Sequence, residues 1–166
     1  MLDRGERTCI DLGDPRFGVP LIPASAILVA HKRQNTGVPG SDPVSLIRPE
    51  DRVEGDATPG MMREQAVVTG DMWAGLVRTE PGMVSGWHHH GHYETSIYVI
   101  SGLLRMESGP GGESIVEASS GDFLYVPREA IHREANPGDT ESQIVVVRVG
   151  HGPTVINVRT PASPQP

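Results

Sequence analysis

The stretch GMVSGWHHHGHYETSIYVISG, residues 82–102, carries the most informative pattern in the chain, because four histidines fall within five positions. Successive side chains of a β-strand point to opposite faces, so His88 and His90 share one face while His89 points away. Two imidazoles on one face can converge on a single metal ion, and a neighbouring strand must then supply a third ligand. His132, in a strand-like run of its own, is the best candidate for that ligand.

Short runs that are typical of strands recur on both sides of this stretch. They are separated by turns rich in Gly, Pro, Asn and Asp, and no long segment has a helical period. The chain has 18 valines against 9 leucines, with 20 glycines and 15 prolines, which favours a pleated core over helices. The sequence therefore predicts an all-β fold. The predicted strands are residues 66–69, 72–79, 84–88, 95–101, 103–107, 114–118, 123–127, 131–135, 143–149 and 154–158.

Other side chains in this region receive structural expectations. Residues 48–63 are polar and contain several turn formers, so we predict a loop there. No motif supports a site role for the arginines Arg78, Arg105 and Arg128, although each is able to hold a substrate carboxylate. We expect each aromatic side chain to fill the core. These aromatics are Trp73, Trp87, Tyr93, Tyr98, Phe123 and Tyr125.

The spacing of the histidines resembles the two motifs of the cupin superfamily, a group of small β-barrels that hold a metal ion. The first motif has a glycine, five residues, His-x-His, three or four residues, a glutamate, about six residues and a final glycine, which is Gly102 in this chain. The second has a glycine, five residues, Pro-x-Gly, two residues, a histidine, three residues and an asparagine. In this chain the first motif is matched by Gly82, His88, His90 and Glu94, and the second by Gly121, Pro127, His132 and Asn136, with Glu129 in place of the middle glycine.

The resemblance implies a single cupin-type β-barrel, also called a double-stranded β-helix or jelly roll. It further implies that His88, His90 and His132 are metal ligands and that Glu94 is the candidate fourth ligand.

In the family motif the glutamate usually lies seven residues before the final glycine, and counting back from Gly102 gives Thr95. Glu94 is therefore one residue away from the usual position and would face outward on a regular strand. A bulge near Gly91 would restore the phase. The alternatives are a three-histidine site or a site completed by His92. We favour Glu94 over both.

The chain divides into three predicted segments. Residues 1–43 form an extended arm rich in Pro and Gly, residues 44–158 form the barrel domain, and residues 159–166 form a flexible tail. An extended arm can cover a sheet edge that would otherwise stay unpaired, so we predict a homodimer.

Charge and composition exclude several classes of partner. The formal net charge is −7, and no basic run is longer than Lys32-Arg33, so neither nucleic acid nor an anionic membrane surface is an expected partner. The longest apolar stretch, residues 21–30, is too short to span a bilayer. A single cysteine, Cys9, fits a reducing compartment, and we predict a cytoplasmic location.

Three imidazoles with at most one carboxylate leave open positions on an octahedral ion. We therefore expect one divalent transition metal, with Fe(II) favoured and Zn, Ni, Mn or Cu also compatible. The expected activity is that of an Fe(II)-dependent dioxygenase on a small organic molecule. The alternatives are a non-oxidative isomerase, lyase or rearrangement enzyme and a binding protein without turnover. No catalytic residue is assigned, but Glu134 shares a strand face with His132 and is a candidate hydrogen-bond acceptor or acid–base group.

Overall fold

The computed structural model describes residues 43–55 and 58–159. The predicted arm and tail lie outside these residues, except for residues 43 and 159, so the three-segment division stays a prediction. No helix in the two described ranges is long and apolar enough to cross a membrane. The described residues include two short 3-10 helices, at Pro49–Asp51 and Pro110–Gly112. The strands are β1 Val53–Glu54, β2 Met61–Val68, β3 Met72–Thr79, β4 His88–His89, β5 Glu94–Ser101, β6 Leu103–Ser108, β7 Ser114–Ser119, β8 Phe123–Val126, β9 His132–Ala135, β10 Ser142–Val149 and β11 Ile156–Asn157.

The strands form two antiparallel sheets. The first has six strands in the order β1-β2-β3-β10-β5-β8, and the second has five strands in the order β11-β4-β9-β6-β7. Burial alternates residue by residue along β3, most of β5 and β10, as expected for strands with one face turned to a core. The predicted all-β fold is confirmed.

Both sheets contribute to a single hydrophobic core. The six-stranded sheet supplies Val77, Val99 and Ile144, and the five-stranded sheet supplies Leu104 and Met106. The apolar cluster thus joins the inner faces of the two sheets, and its burial is the main stabilising contribution to the fold.

The inner face of the six-stranded sheet changes from apolar to polar along its length. In one row across the sheet, Val77, Ile144 and Val99 are cross-strand partners, and all three are buried. Two rows away, Arg148 lies between Trp73 and Thr95. The polar row is where the inner face meets the candidate site.

Two predicted boundaries differ from the structure. Strand β2 begins at Met61 and pairs with β3, so the predicted loop over 48–63 ends earlier than expected. Polar residues such as Arg63 and Glu64 are accommodated because β2 is only partly buried. The predicted strand over 84–88 is reduced to an isolated bridge between Val84 and Ala135, followed by the short β4.

The prediction for the aromatic residues is right for some and wrong for others. Trp73 and Tyr93 are buried, but Phe123 and Tyr125 are 73% and 65% exposed. Strand β8 is an edge strand whose inward residue is Val126, so alternation directs the side chains of Phe123 and Tyr125 to the outer face.

Candidate metal centre

Three histidines from two neighbouring strand regions meet inside the molecule. His88 in β4 is the cross-strand partner of His132 in β9, and His90 follows His88 on the same side of the chain. All three side chains are buried. The ring centroids are 4.5 Å apart for His88 and His132, 5.1 Å for His88 and His90, and 5.0 Å for His90 and His132. The structure thus brings together the three histidines identified from their spacing.

Each of the three rings is held by a backbone carbonyl at Nδ1. The Nδ1 atoms of His88, His90 and His132 lie 2.9, 2.6 and 2.8 Å from the carbonyl oxygens of Gly86, Thr154 and Ala130. A carbonyl oxygen only accepts hydrogen bonds, so each Nδ1 is the protonated donor and each neutral ring keeps an unprotonated Nε2. This is the tautomer that binds a metal through Nε2, with the ring oriented by its other nitrogen.

Glu134 supplies the acidic member of the cluster. It lies two residues after His132 in β9, and its side chain is buried with Oε1 3.5 Å from Nε2 of His88. One ligand atom from each of the three histidines and from Glu134 lies within 4.8 Å of all the others. Nε2 of His132 is buried and has no hydrogen-bond partner. A buried imidazole nitrogen without a hydrogen-bond partner, close to other nitrogen and oxygen atoms with lone pairs, is suited to binding a cation.

The electrostatic environment disfavours protonation of His90, His132 and Glu134. Burial and, next in size, the charge of Arg148 lower the pKa of His90 to about 3. Burial also lowers the pKa of His132, with the neighbouring His88 acting in the same direction. For Glu134, burial by itself raises the pKa, but contact with His88 and the charges of His88, His132 and Arg148 outweigh it and lower the pKa to about 2. Imidazoles whose protonation is disfavoured, beside an ionised carboxylate, form a donor set suited to a divalent cation.

The structure does not bring Glu94 into the cluster, which corrects the expected fourth ligand. Glu94 is the first residue of β5, its side chain is 48% exposed, and its Oε1 lies 3.4 Å from Nε of Arg128. Thr95 takes the inward position and pairs with Arg148 of β10. No bulge changes the register at this end of β5, so the phase counted back from Gly102 holds.

His92, the other alternative, also lies outside the cluster. Its side chain is 63% exposed, with Nδ1 3.9 Å from the Glu129 carboxylate and its ring 5.6 Å from that of His151. Glu129 has a φ of 58°, the only positive value for a non-glycine residue in 43–55 and 58–159. It occupies the position where the family motif has glycine, which adopts this conformation without steric cost.

Sequence reasoning identified Glu134 by strand parity but gave it a supporting role. The same two-residue spacing that pairs His88 with His90 also pairs His132 with Glu134, so the signal for a fourth ligand was present. The binding of a metal by these four residues remains a prediction.

A cavity of about 610 Å³ opens beside the cluster and reaches it through His88. This volume is within the range of small-molecule sites in proteins. Polar and aromatic side chains share its wall. They include Arg63, Gln65, Trp73, Ser85, His88 and Arg148.

The family comparison agrees with this geometry. The family profile described as a cupin domain matches residues 75–148, which include all four residues of the cluster. The resemblance seen in the two histidine motifs is therefore confirmed.

Solved structures show the same architecture. KdgF from Halomonas sp. aligns with a TM-score of 0.56 at 21% identity, over 65% of this chain and 96% of that chain. A double-stranded β-helix protein from Klebsiella pneumoniae aligns with a TM-score of 0.55 at 20% identity, over 63% and 90% of the two chains. A deletion mutant of oxalate decarboxylase from Bacillus subtilis gives 0.54 at 24% identity, over 61% of this chain and 29% of that longer one. Identities this low show the fold alone, and none of the curated proteins matches the sequence.

Proposed function

We propose that this cupin domain is a mononuclear metalloenzyme of the Fe(II)-dependent dioxygenase type that acts on a small organic metabolite. The observation that carries the proposal is the convergence of three Nδ1-anchored imidazoles and one buried carboxylate on a single point beside a cavity. With one atom from each residue, four protein ligands leave two positions open on a six-coordinate ion. Open positions beside a cavity are what a catalytic site needs and a purely structural metal site lacks.

The side chains divide the work in this proposal. Nε2 of His88, His90 and His132 and one oxygen of Glu134 hold the ion, and the three carbonyl contacts keep the rings oriented. The cluster contains no thiolate or thioether, and imidazole with carboxylate is a donor set used by non-haem Fe(II). Bound iron supplies the capacity to activate O2. The protein supplies the binding cavity and a site largely shielded from bulk water.

Non-oxidative chemistry is the second candidate, and the same donor set supports it. Oxalate decarboxylase from Bacillus subtilis, one of the structural neighbours, is described as having Mn(II) centres. Imidazole and carboxylate also suit Mn, Zn and Ni, which serve as Lewis acids in isomerase or lyase reactions. A cupin that binds a small molecule without turnover is the remaining alternative.

Metal content tests the proposal most directly. The full-length, untagged protein is purified anaerobically and analysed by elemental mass spectrometry, beside the double variant His88→Ala/His132→Ala and the matched control His89→Ala/His92→Ala. We expect about one equivalent of iron in the wild type and in the control, and none in the first variant. O2 consumption with a panel of small organic acids then tests the oxygenase reaction.

The outcomes separate the candidates. One equivalent of manganese, zinc or nickel that supports turnover without O2 would replace the oxygenase by the non-oxidative enzyme. Equal metal content in both double variants would show that the cluster is not the binding site. A fully loaded protein with no turnover on the panel would favour the binding protein.

The homodimer and the cytoplasmic location stay predictions. Light scattering of the full chain distinguishes a dimer from a monomer of 17.8 kDa. Deletion of residues 1–43 would leave a dimer intact if the predicted arm has no part in it, and cell fractionation tests the location.

A further inference from the structure

Arg148 is a buried arginine on the wall of the cavity, and no acidic side chain in the described part of the chain forms an ion pair with it. Its exposed fraction is 5%, and it lies at an inward position near the end of β10. Nε is buried without a hydrogen-bond partner, and the guanidinium makes no ion pair or hydrogen bond with any residue in 43–55 and 58–159. An unpartnered buried charge is costly, so such groups are normally matched by an opposite charge.

Trp73 fixes the orientation of this guanidinium. The two residues are cross-strand partners, and Cζ of Arg148 lies 5.0 Å from the centre of the Trp73 ring. The indole is held in turn, because its Nε1 donates a hydrogen bond of 3.0 Å to Oε1 of Gln65. The indole therefore covers one face of the guanidinium, while the N–H donors along its edge remain unmatched.

A second arginine–tryptophan pair shows what this edge lacks. Cζ of Arg133 lies 4.9 Å from the centre of the Trp87 ring, so the stacking is nearly the same. The edge of Arg133, however, is filled by the Glu107 carboxylate, at 2.8 Å from Nε and 2.6 Å from Nη2. One carboxylate oxygen, Oε2 of Glu107, contacts both donors, and a carboxylate is the anion that suits such a guanidinium edge. Arg148 also stacks on a tryptophan, but no carboxylate in the described part of the chain contacts its edge.

The charges around the cavity favour an anionic occupant. Arg63 lines the same cavity, and Glu54 is the single acidic residue on the described part of its wall. Glu134 lies close enough for its charge to act on Arg148, but its carboxylate is committed to the metal cluster. Burial lowers the pKa of Arg148 to about 10, against the opposing effect of Glu134, so the guanidinium keeps its charge at neutral pH.

We propose that Arg148 binds a carboxylate group of the substrate, so that the substrate is a small organic acid held between the guanidinium edge and the metal cluster. The proposal rests on the proposed function for the role of the metal. The ligand carboxylate takes the place that Glu107 occupies on Arg133. Because the cavity is bordered by both Arg148 and His88, an acid anchored at Arg148 has its remaining atoms directed along the same cavity toward the cluster.

Formate and acetate are suitable probes, because any carboxylate subsite accepts these minimal acids whatever the rest of the substrate is. Their binding to the Zn(II)-loaded full-length protein is measured by isothermal titration calorimetry, with formamide and acetamide as neutral analogues. The variants are Arg148→Met, Arg148→Lys and the matched control Arg133→Met, which removes the other stacked arginine. Zinc content and melting temperature are measured for every variant, so that a folding defect is recognised.

We expect formate and acetate to bind the wild type and Arg133→Met equally, and to bind Arg148→Met roughly 10- to 100-fold more weakly. Arg148→Lys should fall between the two, because lysine keeps the charge and loses the fork. The amides should not bind measurably.

Three results would overturn the carboxylate subsite. They are an absence of formate and acetate binding to the wild type, equal binding to zinc-loaded Arg148→Met, and tighter binding of inorganic phosphate than of either acid. None of these affects the metal assignment, which depends on zinc content. Conversely, Arg148-dependent acid binding by a protein that holds no zinc would keep the subsite and reject the proposed metalloenzyme.

Discussion

The two sets of histidines in this protein differ in burial and in the partner of Nδ1. His88, His90 and His132 are buried, and the Nδ1 of each ring is tied to a carbonyl oxygen. His92, by contrast, is largely exposed and makes only loose contacts, and Nδ1 of His89 accepts a hydrogen bond from the backbone N–H of Gly91. A histidine-rich sequence therefore contains ligands and bystanders, and strand alternation together with the anchoring of Nδ1 separates them.

The largest expected effect comes from removing an inner ring. His132→Gln should abolish stoichiometric metal binding, because Nε2 of His132 is a buried nitrogen of the cluster whose lone pair has no hydrogen-bond partner. The measurement is a competition titration of the purified protein with a chromophoric chelator and Zn(II) or Fe(II). His92→Gln provides the comparison and should keep the wild-type affinity. An equal loss in the two variants would contradict the distinction between the two sets.

The two glutamates provide a sharper test of the same distinction. Glu134→Gln should weaken metal binding by roughly 10- to 100-fold, since the amide retains the size of the side chain and loses its charge. Glu94→Gln should have no measurable effect, because Glu94 faces outward toward Arg128. The same chelator competition measures both. Weaker binding in Glu94→Gln alone would restore the ligand set expected from the family motif.

The glutamates also show how far sequence reasoning extends. The period of two places His88 and His90 on one face, and counting back from Gly102 places Thr95 inward, and both inferences agree with the structure. The motif spacing nevertheless favoured Glu94, at the cost of a bulge near Gly91, whereas the pairing of β5 with β10 is regular at Glu94 and Thr95. The alternation of side chains along the strand was a better guide than the motif spacing, because a shift of one residue turns a side chain to the opposite face of the sheet.

Other features could not be read from local pattern. Arg148 lies in a run of valines, and an arginine in such a run reads as an outward position, so only the paired strands on either side reveal that it is buried. Phe123 and Tyr125 have the composition of core residues, but strand alternation places them on the outer face of β8. Which face of β8 is inward depends on how the strand is paired in its sheet. Sheet order depends on contacts between distant segments, which a single sequence does not specify.

Gly91 separates the inner His90 from the outer His92, and its backbone conformation is required for that separation. Its φ is 54°, and an added Cβ would lie 3.3 Å from Cδ1 of Ile156. Gly91→Ala should lower the free energy of unfolding of the metal-free protein by about 1–2 kcal/mol, the cost of the left-handed conformation for a residue with Cβ. Urea denaturation measures this change.

Gly70→Ala is the matched control for Gly91→Ala, because Gly70 has no positive φ and a Cβ there would meet no neighbour within 4 Å. We expect its free energy of unfolding to be unchanged or slightly higher. Equal destabilisation by the two substitutions would mean that the conformation of Gly91 is not what the turn requires.

The smallest expected effect is at Glu129, in a separate turn that is hydrogen-bonded to Gly91. Its backbone N–H donates a hydrogen bond of 2.9 Å to the carbonyl oxygen of Gly91, and its φ of 58° is unfavourable for a side chain with Cβ. Glu129→Gly relieves this strain but raises the entropy of the unfolded chain, so the net gain in the free energy of unfolding should be about 0.5–1 kcal/mol. Metal affinity should not change, because the Glu129 carboxylate contacts only the outer His92. A Glu129→Gly variant with weaker metal binding would show that the outer histidines are coupled to the inner cluster through this turn.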